Sequence, residues 1–266
     1  MTERTDQDYL LNEQYKDASN LNARIQLHQR FSTNTEDWYR WLFDHFTIPE
    51  GAHILELGSG SAMLWKQNLD RIPADWQIAL SDLSAGMLDE ASKNVGDGTA
   101  FTFEVVDAQA ISFDAEIFDT VIANHMLYHV PDQARALAEV RRVLKPDGRF
   151  YAATNGEGHL HEIDEFVAHI LPTTTDTSSG SSFTLENGVK LLSRYFANVQ
   201  LYRFENGLRI TEVEPIIAYI RSTRVGATIV GDKLDTLRAL LEQEIAKHGA
   251  IAVTKSTGLF EAFGKR

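Results

Sequence analysis

The strongest constraint on the fold is an alternation of strand-length apolar runs with amphipathic helical stretches between residues 53 and 155. Five runs are predicted to be strands: residues 53–57, 76–80, 101–106, 118–123 and 149–153. Helices are expected between them at about residues 61–71, 84–94 and 131–144. Strands that alternate with helices pair in parallel, because each crossover helix returns the chain to the same edge of the sheet. The pattern predicts an α/β protein with an open, doubly wound sheet and helices on both faces.

The pattern loosens after residue 155. The remaining predicted elements are a helix at about 161–170, a Thr/Ser/Gly-rich loop at 172–182, strands at 199–204 and 251–263, and helices at about 212–221 and 232–247. Because the loop has no apolar period, we expect it to be mobile rather than packed. A chain of 266 residues suits one elaborated domain better than two independent ones.

Composition excludes several kinds of chemistry. The chain has no cysteine, so disulfides, thiolate metal sites and cysteine nucleophiles are excluded. Its histidines are scattered, and His159 and His161 form only an isolated HxH pair, so no metal site is predicted. The N-terminus is polar and no run of about 18 uncharged apolar residues occurs, so we expect a cytoplasmic protein without a membrane span.

The charge of the chain argues against nucleic acid as a partner. At a formal net charge of −13, phosphates would be repelled unless Lys and Arg formed a strong local patch. The densest basic group is Arg141, Arg142 and Lys145, at the end of a predicted helix where cations complement the helix dipole. We therefore expect a small-molecule partner, and a monomer or homodimer.

The residues that end the first strand form the first part of a candidate site, since ligands of open parallel sheets bind outside the carboxyl ends of the strands. Gly58 and Gly60 allow the backbone to turn sharply and lie close to a ligand. A tight turn without a ligand is the alternative. A dinucleotide fingerprint would need glycine at position 63, which is Met63, so pyrophosphate binding is disfavoured.

Two carboxylates end the next two strands. Asp82 lies 24 residues after Gly58, the distance expected for a carboxylate that accepts both hydroxyls of a ribose. Its alternative role is a helix cap, a task that Ser81 and Ser84 could share. Asp107 ends strand three, where an adenine amino group could donate to it. The ordered series of strand ends supports a nucleoside-binding site.

Together these motifs resemble the class I S-adenosylmethionine (SAM)-dependent methyltransferases. The resemblance is closest to the small-molecule group related to the ubiquinone and menaquinone biosynthesis methyltransferases (the methyltransferase type 11 domain). It is carried by residues 56–62, 81–84 with Met87, 106–108, 118–119 and 144–150. It implies a Rossmann-like, seven-stranded, mostly parallel sheet in one domain. Its expected parts are an N-terminal helical cap (1–47), a SAM-binding core (51–155), a substrate-side insertion (156–197) and C-terminal strands and helices (198–266).

The resemblance assigns roles at the methionine and ribose end of SAM. Gly58 and Gly60 would let the backbone approach the methionine part. Glu56 would fix the turn and help to orient the cofactor amino group, and Asn124 would lie near the amino-acid portion. Asp82 would hold the ribose hydroxyls.

The same resemblance assigns roles at the adenine end. Leu83 and Met87 would flank the adenine, and Asp107 with the Ala108 amide would read its edge. Ala62 departs from the family, which often has glycine at that position. Alanine is tolerated there if the backbone is helical, so we expect little effect.

Two histidines follow strand four, where families resembling this one often place catalytic residues. Methyl transfer is an in-line displacement, so alignment and exclusion of water matter most, and a base is needed only for a protonated acceptor. We predict that His125 faces the transferring methyl as a base or an acceptor-orienting group. Local hydrogen bonding is the alternative for His125. His129 is a second catalytic candidate, with packing in its turn as the alternative.

The remaining expectations concern the cap and the acceptor. Residues 15–24 resemble the cap that closes over SAM in this group, with Tyr15 and Arg24 meeting the cofactor carboxylate. An ordinary amphipathic helix is the alternative. Acceptor selection is expected from about residues 156–183 together with the cap. That region includes His159, His161, Phe166 and the Thr-rich run 173–177, which show no single chemistry, so the acceptor and the methylated atom stay open.

Other functions compatible with SAM binding are cyclopropane formation, decarboxylation, or a regulatory role without catalysis. A nicotinamide dehydrogenase is disfavoured by Met63. Methylation of DNA bases is disfavoured as well. Strand four ends in Ala123-Asn124-His125-Met126 and not in the Asn/Asp-Pro-Pro-aromatic motif that grips a flipped base.

Overall fold

Seven strands form a single sheet in the computed structural model, which describes residues 19–96, 100–172 and 183–265. Their order across the sheet is β3-β2-β1-β4-β5-β7-β6. The strands are β1 (His53–Leu57), β2 (Gln77–Asp82), β3 (Phe101–Val105), β4 (Phe118–Asn124), β5 (Leu144–Asn155), β6 (Phe196–Ile210) and β7 (Ile251–Lys265). Strands β1 to β5 are mutually parallel, and β7 runs antiparallel to both β5 and β6. The predicted seven-stranded, mostly parallel sheet is confirmed.

Nine α-helices lie in the described part of the chain. They are α1 (Ser19–Phe31), α2 (Trp38–Asp44), α3 (Met63–Lys66), α4 (Ala85–Val95), α5 (Gln133–Val143), α6 (His161–Ile170), α7 (Gly188–Leu192), α8 (Val213–Arg221) and α9 (Asp232–His248). None of the helices in these described ranges is long and apolar enough to cross a bilayer.

Alternate residues of the central strands face two hydrophobic cores, one on each side of the sheet. On β4, Val121 and Ala123 face the core that includes α5 and α7. Ile122, between them, faces the core that includes α2, α3 and α4. This alternation follows from the period-2 geometry of a strand, and it confirms that helices cover both faces.

A third core lies beyond the edge of β5, on the outer halves of β6 and β7. Strand β5 pairs with β7 only at residues 257–263, whereas β6 pairs with β7 from residue 251 to residue 265. The outer hairpin, defined here as residues 205–210 and 251–256, packs against α1, α6, α8 and α9 through Leu208, Ile210 and Val253. It holds these helices beside the carboxyl end of the sheet.

Two predicted elements differ from the structure in length. The helix expected over residues 61–71 is the four-residue α3 followed by a 3-10 turn, Leu69–Arg71. The side-chain amide of Asn68 donates to the carbonyls of Leu64 (2.8 Å) and Tyr39 (3.1 Å), so it replaces the backbone bond that would continue the helix. Strand six, expected at 199–204, extends over residues 196–210.

The Asn206 side chain explains part of that extension. It exchanges hydrogen bonds with Ser32 and accepts one from the backbone N–H of Asn34 (3.0 Å). The link between α1 and α2 is thereby tied along β6. Tyr15 and the predicted loop residues 173–182 lie outside the described residues.

Candidate functional site

A cavity of about 550 Å³ opens at the carboxyl ends of the parallel strands. Its walls also include α1, the start of α2 and the outer hairpin. The predicted site residues that line it are Arg24, Glu56, Gly58, Gly60, Asp82, Leu83, Met87, Asp107, Ala108, Asn124, His125 and His129. Ala62 is fully buried beside the cavity and is not part of its lining. The structure thus brings the ends of β1 to β4 together around one space, as expected.

The turn after β1 has a left-handed backbone at three alternate positions. The φ angles are +64° at Gly58, +54° at Gly60 and +57° at Ala62. A Cβ atom at Gly58 would lie 2.6 Å from the Met126 Cβ, so glycine is required there for close approach as well as for its dihedral angle. Little effect of Ala62 was expected on the condition of a helical backbone, and the structure does not meet that condition. Ala62 adopts the left-handed conformation that glycine occupies at much lower cost.

Asp82 connects this turn to the start of α4. Its carboxylate accepts from the Gly60 N–H and from the Ser84 N–H, each at 2.9 Å. The Ser84 side chain caps α4 by accepting from Met87 N–H, so the helix has its own cap. Burial raises the pKa of Asp82, and these backbone donors act against the rise. A carboxylate offers about four lone pairs, so lone pairs remain for a ligand in the cavity.

Glu56 lies beneath the turn and is only 2% exposed. It accepts from the Trp65 indole N–H (2.6 Å) and from the Asn124 side-chain amide (3.3 Å). Burial raises the pKa of Glu56 to about 8, although both hydrogen bonds lower it. The Asn124 Oδ1 is buried and has no hydrogen-bond partner in the described part of the chain. This corner of the cavity therefore offers acceptors for a cationic donor.

The end of β3 supplies the third carboxylate. Asp107 accepts from the backbone N–H of Gln109 (2.9 Å) and from its side-chain amide. Ala108 follows it at the cavity wall, and Met87 lies almost fully buried on the same side. Carboxylates from three adjacent strand ends thus line one half of the cavity.

His125 follows β4 with a left-handed backbone, at a φ angle of +54°. Its N–H donates to the Ala153 carbonyl (2.9 Å), and its ring lies 5.6 Å from the Trp38 ring and 6.4 Å from the Tyr128 ring. Burial, followed by the nearby charges of Lys255 and His129, lowers the pKa of His125 to about 4. The imidazole is neutral at neutral pH, when it can accept as well as donate a hydrogen bond.

Two predicted residues lie in the cavity wall with their positions fixed by neighbours. His129 ends a 3-10 turn, Leu127–His129, and its ring lies 4.5 Å from that of Tyr128. The Arg24 guanidinium donates to the Ser222 hydroxyl (3.0 Å) and the Ser222 carbonyl (2.8 Å). Arg24 is therefore anchored to the end of α8 while it faces the cavity.

The predicted acceptor region is divided by the structure. His159 lines the cavity, whereas His161 and Phe166 do not. His161 contacts the Gly158 carbonyl, and Phe166 packs against the third core. Across residues 19–96, 100–172 and 183–265, no three His, Asp or Glu side chains are arranged to hold a metal ion.

The cavity also contains residues to which the sequence assigned no role in the site: His28 and Trp38, which lie in the predicted cap, and Phe204 and Lys255, which lie in no predicted motif. They come from α1, α2, β6 and the outer hairpin, and only the tertiary fold brings them beside the strand ends. Periodicity along α1 or β6 alone reveals which positions are apolar, and it does not identify a shared cavity.

The chain is similar to known methyltransferases. Residues 55–152 match the family described as methyltransferase domain. The malonyl-[acyl-carrier protein] O-methyltransferase of Geobacter sulfurreducens is 30% identical over 184 residues, which cover 67% of either chain. A ubiquinone/menaquinone biosynthesis C-methyltransferase of Desulfotalea psychrophila is 32% identical over 132 residues, 48% of this chain. The matched part spans about half of that relative's length (52%).

A solved structure supports the fold. The phosphoethanolamine N-methyltransferase 2 of Haemonchus contortus in complex with S-adenosyl-L-methionine has a TM-score of 0.61 at 17% identity. The alignment covers 100% of this chain and 61% of that one. The chain therefore belongs to the methyltransferase-domain family of SAM-dependent methyltransferases.

Proposed function

We propose that the protein binds SAM at the carboxylate-lined half of the cavity and transfers its methyl group to a small molecule. The observation that carries this proposal is the corner beneath the β1 turn. There, the buried Asn124 Oδ1 has no hydrogen-bond partner among the described residues, and the Glu56 carboxylate lies 3.3 Å from the nitrogen of the same amide. A ligand ammonium would satisfy both groups, and SAM carries one on its methionine part. The residues present fit the cofactor.

The remaining contacts of the cofactor follow from the strand ends. Asp82 has lone pairs left for ribose hydroxyls, and its two backbone bonds hold it in one orientation. Asp107 and the Ala108 N–H would receive the adenine edge, with Leu83 and Met87 against its faces. The left-handed turn at Gly58 lets the backbone lie against the methionine part without a side chain in the way.

The chemistry needs little from the protein beyond alignment. Bound SAM supplies a methyl group on a sulfonium, so the acceptor's electron pair forms the new bond while the carbon–sulfur electrons stay on sulfur. His125 would orient the acceptor through a hydrogen bond. Its lowered pKa makes it a poor general base at neutral pH, so an acceptor that must lose a proton would release it to solvent or react already ionised. Trp38, whose ring lies 5.6 Å from that of His125, would help to keep water away from the transferring methyl group.

Calorimetric titration with S-adenosylhomocysteine tests the cofactor site. We expect the wild type to bind and Asp82→Asn to bind about tenfold to a hundredfold more weakly, because a charge-assisted hydrogen bond is lost. Asp89→Asn, on the exposed face of α4, is the matched control and should bind like the wild type. Absence of binding to the folded wild type would refute the proposed function. If the wild type binds, methyl transfer itself is measured by mass spectrometry of small-molecule acceptors incubated with SAM.

A further inference from the structure

The half of the cavity away from the strand ends is lined by basic side chains, whereas the half at the strand ends is lined by carboxylates. Lys255 lies on the outer hairpin, paired with Asn206 beyond the edge of β5, and it faces the cavity together with His28 and His159. The His28 and His159 rings lie 6.0 Å apart, and the charge of Lys255 lowers the pKa of both histidines. Basic side chains therefore gather at this end, whereas the carboxylates of Glu56, Asp82 and Asp107 lie at the strand ends.

Lys255 is not paired with an acidic side chain in the part of the chain that the structure describes. The acidic group that acts on it is Asp37, whose carboxylate already accepts from the N–H groups of Tyr39 (2.9 Å) and Arg40 (3.0 Å) at the start of α2. Burial lowers the pKa of Lys255 to about 8. A half-buried cation without a counter-ion is costly, and an anionic ligand would remove that cost.

The histidines add hydrogen-bond donors and not further charges. The Nδ1 of His159 accepts from the Ser256 N–H (3.2 Å), so the neutral ring carries its proton on Nε2. Its pKa is lowered well below the usual value, mainly by burial, which agrees with a neutral ring. The His28 ring lies 6.0 Å away, and its Nδ1 is buried without a partner among the described residues. Burial lowers the pKa of His28 to about 3.

Aromatic side chains enclose this group of donors. The Lys255 Nζ lies 5.8 Å from the centre of the Phe204 ring, which packs edge-on against Trp38 at 5.2 Å. Trp38 in turn lies beside His125 at the end of β4. A ligand held by Lys255 would thus lie beside aromatic side chains that extend from Lys255 to the end of β4.

We propose that this end of the cavity binds a carboxylate of the methyl acceptor through Lys255 Nζ and His159 Nε2–H, with Trp38 and Phe204 against its apolar body. The inference rests on the proposed function. A monoanion is favoured over a phosphate dianion because the Asp37 carboxylate acts on Lys255 and the Arg24 guanidinium is directed to Ser222. The acceptor class is therefore a small organic acid with an apolar or aromatic body.

Calorimetric titration of benzoate into the protein, with and without saturating S-adenosylhomocysteine, tests this inference. We expect benzoate to bind more tightly than its neutral analogue benzyl alcohol and more tightly than inorganic phosphate. Lys255→Met should weaken benzoate about tenfold or more while S-adenosylhomocysteine binding stays unchanged. Lys255→Arg should retain most of the affinity. Lys93→Met, an exposed lysine on α4, is the matched control and should leave benzoate binding unchanged.

A second measurement uses the wild type alone, in case Lys255→Met does not fold. In protein labelled at the lysine side chains, the NMR signal of Lys255 should titrate near pH 8 and shift upward by at least about one pH unit when benzoate is added. The titratable groups around Lys255 are Asp37, whose charge raises its pKa, and His28, His125 and His159, whose pKa values Lys255 lowers. These effects are all present without ligand, so only the added anion accounts for the change.

The outcomes separate the two proposals. Binding of S-adenosylhomocysteine with no preference for benzoate over benzyl alcohol, or with equal benzoate affinity in Lys255→Met, would overturn the carboxylate site and leave the proposed function standing. Tighter binding of inorganic phosphate than of benzoate would overturn the assignment of a carboxylate. Absence of S-adenosylhomocysteine binding to the wild type would refute the proposed function. The benzoate titration without S-adenosylhomocysteine would still decide for or against the anion site.

Discussion

Glu56 makes the stability of the ligand-free protein depend on pH in a direction opposite to that of most carboxylates. Its folded-state pKa is about 8, compared with 4.5 in the unfolded chain. The folded state therefore holds the proton more tightly, and the stability this provides is present below pH 4.5 and is lost as the pH rises toward 8. At about 1.4 kcal/mol per pH unit, the loss between pH 4.5 and pH 7 is about 3 kcal/mol.

Substitution of Glu56 by Gln removes that dependence while keeping the shape of the side chain. Gln can still accept from Trp65 N–H through its oxygen. Rotation of the Asn124 amide by 180° would present its unpartnered Oδ1 to the new NH₂ group. As the pH rises from 4.5 to 7, we expect the difference in unfolding free energy between the Glu56→Gln protein and the wild type to change by about 3 kcal/mol in favour of the variant. The same variant should bind S-adenosylhomocysteine more weakly, because Glu56 can ionise when it meets the ligand ammonium and Gln cannot.

Urea unfolding of the ligand-free proteins at a series of pH values measures the effect. Differences between variant and wild type at each pH cancel the titration of all other groups. Glu104→Gln, an exposed glutamate on the edge strand β3, is the matched control and should differ from the wild type by a constant amount. A pH-independent difference for Glu56→Gln as well would refute the reasoning.

Three further predictions concern backbone strain and histidine ionisation. Gly58→Ala should destabilise the protein by about 2 kcal/mol or more, from its φ of +64° and the close contact, whereas Gly158→Ala, with open space around it, should change the unfolding free energy by less than about 0.5 kcal/mol. Ala62→Gly and Ala91→Gly remove equally buried methyl groups, but only Ala62 has a left-handed backbone that glycine relieves. The unfolding free energy of the Ala62→Gly protein should therefore be about 1–2 kcal/mol higher than that of the Ala91→Gly protein. The lowered pKa of His125 contributes stability that is present above pH 6.5 and is lost as the pH falls toward 4. In urea unfolding, the wild type should therefore lose stability relative to His125→Asn over that pH range. Titration of the His125 ring near pH 6.5 by NMR would contradict the assignment.

The sheet and the strand-end residues were predictable because their signals are local. Each of the five predicted core strands overlaps an observed one, and β1 has the predicted bounds. Gly58, Asp82 and Asp107 could be placed at the same edge because parallel strands all present their carboxyl ends there. The division of the chain into cap, core and insertion stays a prediction.

The outer half of β6 was not predictable in the same way. Residues 205–208 read Glu-Asn-Gly-Leu, and Asn-Gly is typical of a tight turn. In the structure Asn206 is used instead to bind the segment after α1, a contact between residues 174 positions apart in the chain. The end of the cavity around Lys255 was missed for the same reason, because the residues that surround Lys255 come from β6, α1 and α2 and meet only in the folded protein.

The two long antiparallel strands have a consequence for how substrate range can change. Strands β6 and β7 run without interruption from the sheet, where the carboxylates lie, into the third core, where Lys255 is presented. Within the described residues, the third core packs on the outer halves of these strands, whereas the two cores of the sheet pack on their inner halves. Substitutions within the third core, at positions such as Ile217 or Leu237, would act on the helices and outer strand halves around Lys255 and His28, away from Glu56, Asp82 and Asp107. A library directed at that core is the route to new acceptors that preserves the methyl donor.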